Sequence, residues 1–211
     1  MNILNRHYDR LPPSRDAKKI FIFCEGIKRE RQYFELFQGL DSHIDIIVYE
    51  IKKGDDQSPT GLFQLAINML LNDNFSDEKN YDKRIDEVWF VVDTDIWGRK
   101  LEILYKECKN LNSWFVAQSN PCFEVWLYYH CFEDKPDFPG MEISSYWKDF
   151  VNKNIRGGFN PRKHSHYIGK AIFNAKKNFQ QINNMPDIGC TEVYNLAEKI
   201  YPLIKHKIEE E

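Results

Sequence analysis

The stretch EVWFVVDTDIWGRK, residues 87–100, decides how this chain is read. Five consecutive apolar residues, Val88 to Val92, run straight into Asp93, and Asp95 follows one residue later. A short, unbroken apolar run predicts a strand buried on both faces, as in the parallel sheets of α/β proteins. A buried strand that stops at a carboxylate pair needs a reason. Ligands of open α/β sheets sit beyond the carboxyl ends of the strands. The pair therefore reads either as turn chemistry, with Asp93 capping the next helix, or as one wall of a metal site.

On the N-terminal side, Ile20 to Cys24 predict a second buried strand and Gly26 a turn. KRERQYFELFQ (28–38) predicts a helix, with Tyr33, Phe34 and Phe37 at helical spacing and Leu40 extending that face. Ile44 to Ile51 read as another strand, after which Ser58 and Pro59 are the cap and first residue of a helix with a stripe at Leu62, Leu65, Ala66, Met69 and Leu70. The polar segment 72–84 reads as a loop. On the C-terminal side, Leu101, Leu104, Tyr105 and Cys108 predict a helix and WFVAQS (114–119) a fourth strand. Helices alternating with short apolar runs predict an α/β fold with a mostly parallel sheet flanked by helices.

Beyond residue 120 the pattern becomes mainly helical. NPCFEVWLYYH (120–130) predicts a helix opening at Pro121, residues 134–143 a loop, and 155–164 a surface excursion. Further helices are expected near Ile168 to Phe179 and after Thr191. The expected organisation is a polar segment (1–17) followed by one domain (18–211). Its α/β core spans 18–120, and 121–211 is a C-terminal helical elaboration.

The 211 residues carry 29 Lys and Arg against 32 Asp and Glu, a formal charge of -3, so net charge supplies no broad attraction to nucleic acid. The five cysteines form no CxxC pair, which argues against a zinc site or disulfide framework and for a reduced, cytoplasmic setting. No apolar run approaches the roughly 20 residues that cross a bilayer, so no membrane role is expected.

Glu25 ends the first strand as Asp93 ends the third. If those strands are neighbours, Glu25, Asp93 and Asp95 meet at one sheet edge, where mutual repulsion favours a bound cation. Oxygen-only ligands point to Mg²⁺, with Mn²⁺ as substitute, and Mg²⁺ brings phosphate chemistry with it. Lys28, Arg29 and Arg31 supply charge near the same mouth, unless they form a solvated helix face. Glu124, set among aromatic and aliphatic residues, either reaches the polar side of its helix or points at a cation or base. Asn120 would lead into that helix, leaving Ser119 to cap it or hydrogen-bond in the site. His130 reads as a satisfied core residue. Arg162, Lys163 and Lys170 belong to a basic segment suited to closing over a phosphodiester.

Taken in order, FCEG, VVDTD and SNPCFEVWLYYH resemble the RloB-like family, whose domain belongs to the Toprim superfamily; SPTGLFQLA and TEVYNLAEKIYPL extend the likeness over most of the chain. The resemblance implies that Glu25, Asp93 and Asp95 are acidic metal-centre positions and that Glu124 supports the metal or orients the reacting water. It also implies links to prokaryotic antiviral defence and to nucleic-acid cleavage. The expected function is a Mg²⁺-dependent nuclease acting on DNA or RNA, with Lys28, Arg29, Ser119, Asn120, Arg162, Lys163 and Lys170 as substrate contacts. A partner ATPase or defence-complex subunit and a homodimer are the further partners considered. The competing expectations are a non-catalytic effector that keeps the same shell, and a structural subunit of a defence complex.

Overall fold

The computed structural model describes residues 9–72, 81–94 and 97–209. Strand β1 (Lys18–Cys24) lies between β2 (Ile44–Val48) and β3 (Glu87–Asp93), and β4 (Trp114–Asn120) lies beyond β3, all four parallel. The segment after the helices adds a short hairpin, β5 (Gln181–Ile182) and β6 (Met185–Pro186). It then adds β7 (Cys190–Thr191), which joins the main sheet antiparallel to the end of β4. The order is β2-β1-β3-β4-β7, a mixed α/β architecture with a mostly parallel sheet.

Side chains alternate across a strand, so the apolar run of β3 feeds two cores. Trp89 and Val91 pack with Ile20, Ile22 and Cys24 beneath α1 (Arg29–Glu35) and four later helices. Val88, Phe90 and Val92 pack with Phe21 and Phe23 beneath α2 (Pro59–Leu70) and α3 (Gly98–Lys109). The later helices on the first face are α4 (Glu124–Tyr129), α5 (Ser144–Asn154), α7 (Ile168–Lys177) and α8 (Val193–Glu209), with a short α6 (Pro161–His164) between α5 and α7. All five cysteines are unbridged. Among the described residues no helix is long and apolar enough to cross a membrane.

Helix α2 starts where the sequence predicts. Ser58 Oγ accepts the Gly61 N–H at 3.3 Å, and Pro59 occupies the first turn, where its missing N–H costs nothing. Gly61 is required for a second reason: a Cβ there would lie 2.3 Å from Asp56 Cγ and 2.4 Å from the Asp56 carbonyl oxygen. Gly61→Ala is therefore expected to destabilise the protein by about 2 kcal/mol in urea unfolding, since backbone must move to relieve the overlap.

Three expectations change. The helix after β4 opens at Glu124 rather than Pro121, because Asn120 continues β4 to pair with Cys190 of β7. Helix α5 was not foreseen; Trp147 and Val151, one turn apart, bury its inner face. The surface excursion expected at 155–164 ends in a helix: Asn160 Oδ1 accepts the Arg162 N–H at 3.0 Å and starts α6, which leads through a 3₁₀ turn into α7. The predicted loop at 72–84 falls largely outside the described residues.

Candidate functional site

β1 and β3 are neighbours, so Glu25 and Asp93 meet. The Glu25 N–H donates to the Val91 carbonyl at 3.0 Å, which carries the ladder one residue past β1 and sets the Glu25 side chain against the end of β3. Its Oε2 accepts the Asp93 backbone N–H at 3.0 Å and its Oε1 accepts the Trp97 indole N–H at 2.6 Å. Both oxygens are thus held by N–H donors. Asp95 lies outside the described residues.

A fourth acid enters that sequence reading missed. Helix α1 begins four residues after Glu25 and folds the Glu30 carboxylate back over Gly26, where an added Cβ would lie 1.8 Å from Glu30 Oε2. Glu30 is only 8% exposed. Burial first, then the fields of Glu124 and Glu25, raise its carboxyl to about 7, against the lowering by its own backbone N–H and by Lys148. A carboxyl that keeps its proton near neutrality can both give and take one.

Glu124 opens α4 with its side chain 4% exposed and receives Arg29 Nη1 at 2.7 Å. Burial, then Glu124 and Asp93, push the Cys122 thiol up; burial, then Glu30, Glu35 and Asp93, push up Cys24. The two thiols thus stay neutral and sit in the field of the same acids. Arg29→Ala would leave Glu124 buried without its charged donor. Because Arg29 is itself 41% exposed, solvent screens the pair, and the expected loss at pH 7 in urea unfolding is about 1–2 kcal/mol.

The remaining sequence-derived positions divide. Lys28 is exposed at the start of α1, next to the acidic recess. Arg162 lines a polar cleft of about 500 Å³ with Gln32 and Glu35, which carries α1's outer side towards α6. Lys163 is half-buried in α6 and Lys170 exposed on α7. Ser119 and Asn120 make cross-strand hydrogen bonds. Buried Ser119 shares a hydrogen bond with Thr191 at 2.7 Å, and Asn120 Nδ2 donates to the Pro186 carbonyl at 2.8 Å. His130 is a satisfied core residue: Nδ1–H donates to the Trp126 carbonyl at 3.0 Å and Nε2 accepts from Tyr33 Oη at 2.9 Å. Burial lowers it to about 3, so it stays neutral.

Among the described residues no three His, Cys, Asp or Glu side chains are arranged so as to hold a metal ion. The chemistry of the recess nevertheless fits a hard divalent cation. Glu25, Asp93, Glu30 and Glu124 offer oxygen alone, and Glu30 holds its proton through burial first and the fields of Glu124 and Glu25 second. Mg²⁺ commonly takes one or two protein carboxylates and keeps its waters, so a closed cage is not needed. A family model described as RloB-like protein matches residues 20–200. No curated protein and no solved structure matches the chain.

Proposed function

Because the chain belongs to the RloB-like family, we propose that it is a Toprim-type, divalent-metal-dependent nuclease that hydrolyses phosphodiester bonds in DNA or RNA, in prokaryotic antiviral defence. The observation that carries this reading is the Glu25 carboxylate held against the end of β3 beside Asp93, with Glu30 raised to about 7 in the same recess. Glu25 and Asp93, with Asp95, are the residues assigned to hold Mg²⁺ or Mn²⁺. Bound there, the cation would polarise the phosphoryl group and acidify a water.

The chain's own groups have separable tasks in this reading. Trp97 and the Asp93 N–H fix the direction of the Glu25 carboxylate. Glu30 carries the mobile proton, and Arg29 holds Glu124 oriented towards the reacting water. Lys28 and the basic groups Arg162, Lys163 and Lys170 are assigned to neighbouring phosphates. A partner ATPase or defence-complex subunit, or a second copy, belongs to the same proposal.

The test uses the full chain with end-labelled DNA and RNA in Mn²⁺ or Mg²⁺, beside Mn²⁺ binding followed by electron paramagnetic resonance. Cleavage that requires the cation is the expected result. Mn²⁺ binding without cleavage on any substrate favours the non-catalytic effector, and absence of Mn²⁺ binding at millimolar concentration removes the metal centre altogether.

A further inference from the structure

At the far edge of the sheet, β4 is only half covered. Val88 N–H donates to the Ser113 carbonyl at 2.8 Å and Thr94 N–H to that of Ser119 at 2.9 Å. In a parallel ladder this register turns the backbone groups of Trp114, Val116 and Gln118 away from β3. Gln118 is met there by Glu192, whose N–H donates to its carbonyl at 2.7 Å. Next to it, β7 pairs with Ser119 and Asn120 only. Upstream, the Val116 N–H and carbonyl and the Trp114 carbonyl have no partner among the described residues.

This open backbone lies at the floor of a cleft of about 530 Å³. Tyr105 and Cys108 of α3 form one wall and Asn195 of α8 the other. The floor is apolar: Phe115, 37% exposed, stacks on Trp89 with ring centroids 4.7 Å apart. Lys109 and Lys199 stand on opposite walls, and the nearest acid to Lys199 in an ion pair is Glu87 at 4.0 Å.

We propose that the uncovered edge of β4 is a docking slot for an extended segment of a partner protein that carries both apolar and acidic residues. Unpaired strand N–H and C=O groups are matched by another strand, which repeats the same donors and acceptors at about 3.3 Å per residue. A strand laid here prolongs the line of β7 and satisfies Val116 and Trp114. Side chains of that strand point alternately to the two walls: one set meets Trp89 and Phe115 with Lys199 on the α8 side, the other meets Tyr105 and Cys108 with Lys109 on the α3 side. A lysine on each wall selects acidic residues facing it. A second copy is disfavoured because its own β4 edge is equally recessed between helices and does not reach the floor.

The slot is tested on the full chain with blocked octapeptides, one alternating Glu and Val and one alternating Lys and Val, followed by amide chemical shifts and by calorimetry. The acidic peptide is expected to bind with shifts centred on Val116, and the basic peptide at least about ten-fold more weakly. Val116→Pro removes an outward N–H that takes no part in the native ladder, and is expected to weaken the acidic peptide about ten-fold or more. Should that variant fail to fold, the double reversal Lys109→Glu and Lys199→Glu carries the test, with preference for the basic peptide as the expected result. Equal binding of both peptides, no binding at millimolar concentration, or shifts elsewhere overturns the proposal. So does a concentration-dependent dimer that the double reversal leaves intact and that buries Val116.

Discussion

Replacing Asp93 with alanine is expected to lower metal-dependent phosphodiester cleavage by more than about a hundred-fold while the protein stays folded. Groups that only orient metal ligands cost 10- to 100-fold when removed, and a carboxylate assigned to the cation itself should exceed that range. The variant is informative because of how Asp93 is used. It is the backbone N–H of Asp93, not its carboxylate, that donates to Glu25 Oε2, so alanine leaves the clamp on Glu25 in place. Residue 93 is at the last position of β3 and only half-buried, so truncating it opens no core cavity. Glu25→Gln is the complementary change: it keeps the shape but removes the charge. Trp97→Phe removes the indole donor to Glu25 and is expected to act more mildly, within the range for orienting groups. Cleavage of end-labelled DNA and RNA, with Mn²⁺ binding and near-ultraviolet circular dichroism measured on the same samples, separates loss of the site from loss of the fold. Cleavage by Asp93→Ala within ten-fold of the parent would place the chemistry elsewhere.

What was legible in the sequence was what local periodicity writes down. β1 and β3 are unbroken apolar runs, and α2, α3 and α8 repeat apolar residues at helical spacing with the cap of α2 spelled out by Ser58 and Pro59. Neighbourhood of β1 and β3, which brings Glu25 to Asp93, followed from the α/β pattern only as a condition. What was not legible depends on partners far along the chain. Ser119 and Asn120 look like the lead-in to a helix until β6 and β7 arrive to bind them. The two-residue strands β5 and β6 carry almost no pattern of their own, although Asn183 and Asn184, both with positive φ, are turn residues of a tight hairpin. Glu30 was passed over because KRER reads as a solvated face. The signal was present: Glu30, Tyr33, Phe34 and Phe37 fall at i, i+3, i+4 and i+7, so the acid shares the face that carries the buried aromatics.

That placement of Glu30 gives the second large expected effect, a stability that falls with rising pH and is repaired by a neutral isostere. In the unfolded chain Glu30 titrates near 4.5, and in the folded protein at about 7. Below pH 4.5 it is protonated in both states and contributes no difference. Between pH 4.5 and 7 the unfolded chain releases the proton while the folded protein retains it, so each step up in pH favours unfolding. Above 7 the folded protein ionises too, and the penalty levels off at about 3 kcal/mol for a rise from 4.5 to about 7. Glu30→Gln keeps the shape over Gly26 without the charge. In urea unfolding it is expected to match the parent at pH 4 and to exceed it by about 3 kcal/mol at pH 8, provided no cation is present. Mn²⁺ supplies the control that ties this to function. A cation bound among these acids replaces the proton as the counter-charge, so it should stabilise the parent more at pH 8 than at pH 5. The Gln variant should lose that extra increment. A Glu30→Gln protein whose stability tracks the parent across the whole range would mean that Glu30 does not hold its proton in the recess, and Glu25 and Glu124 would then have to carry the proton chemistry between them.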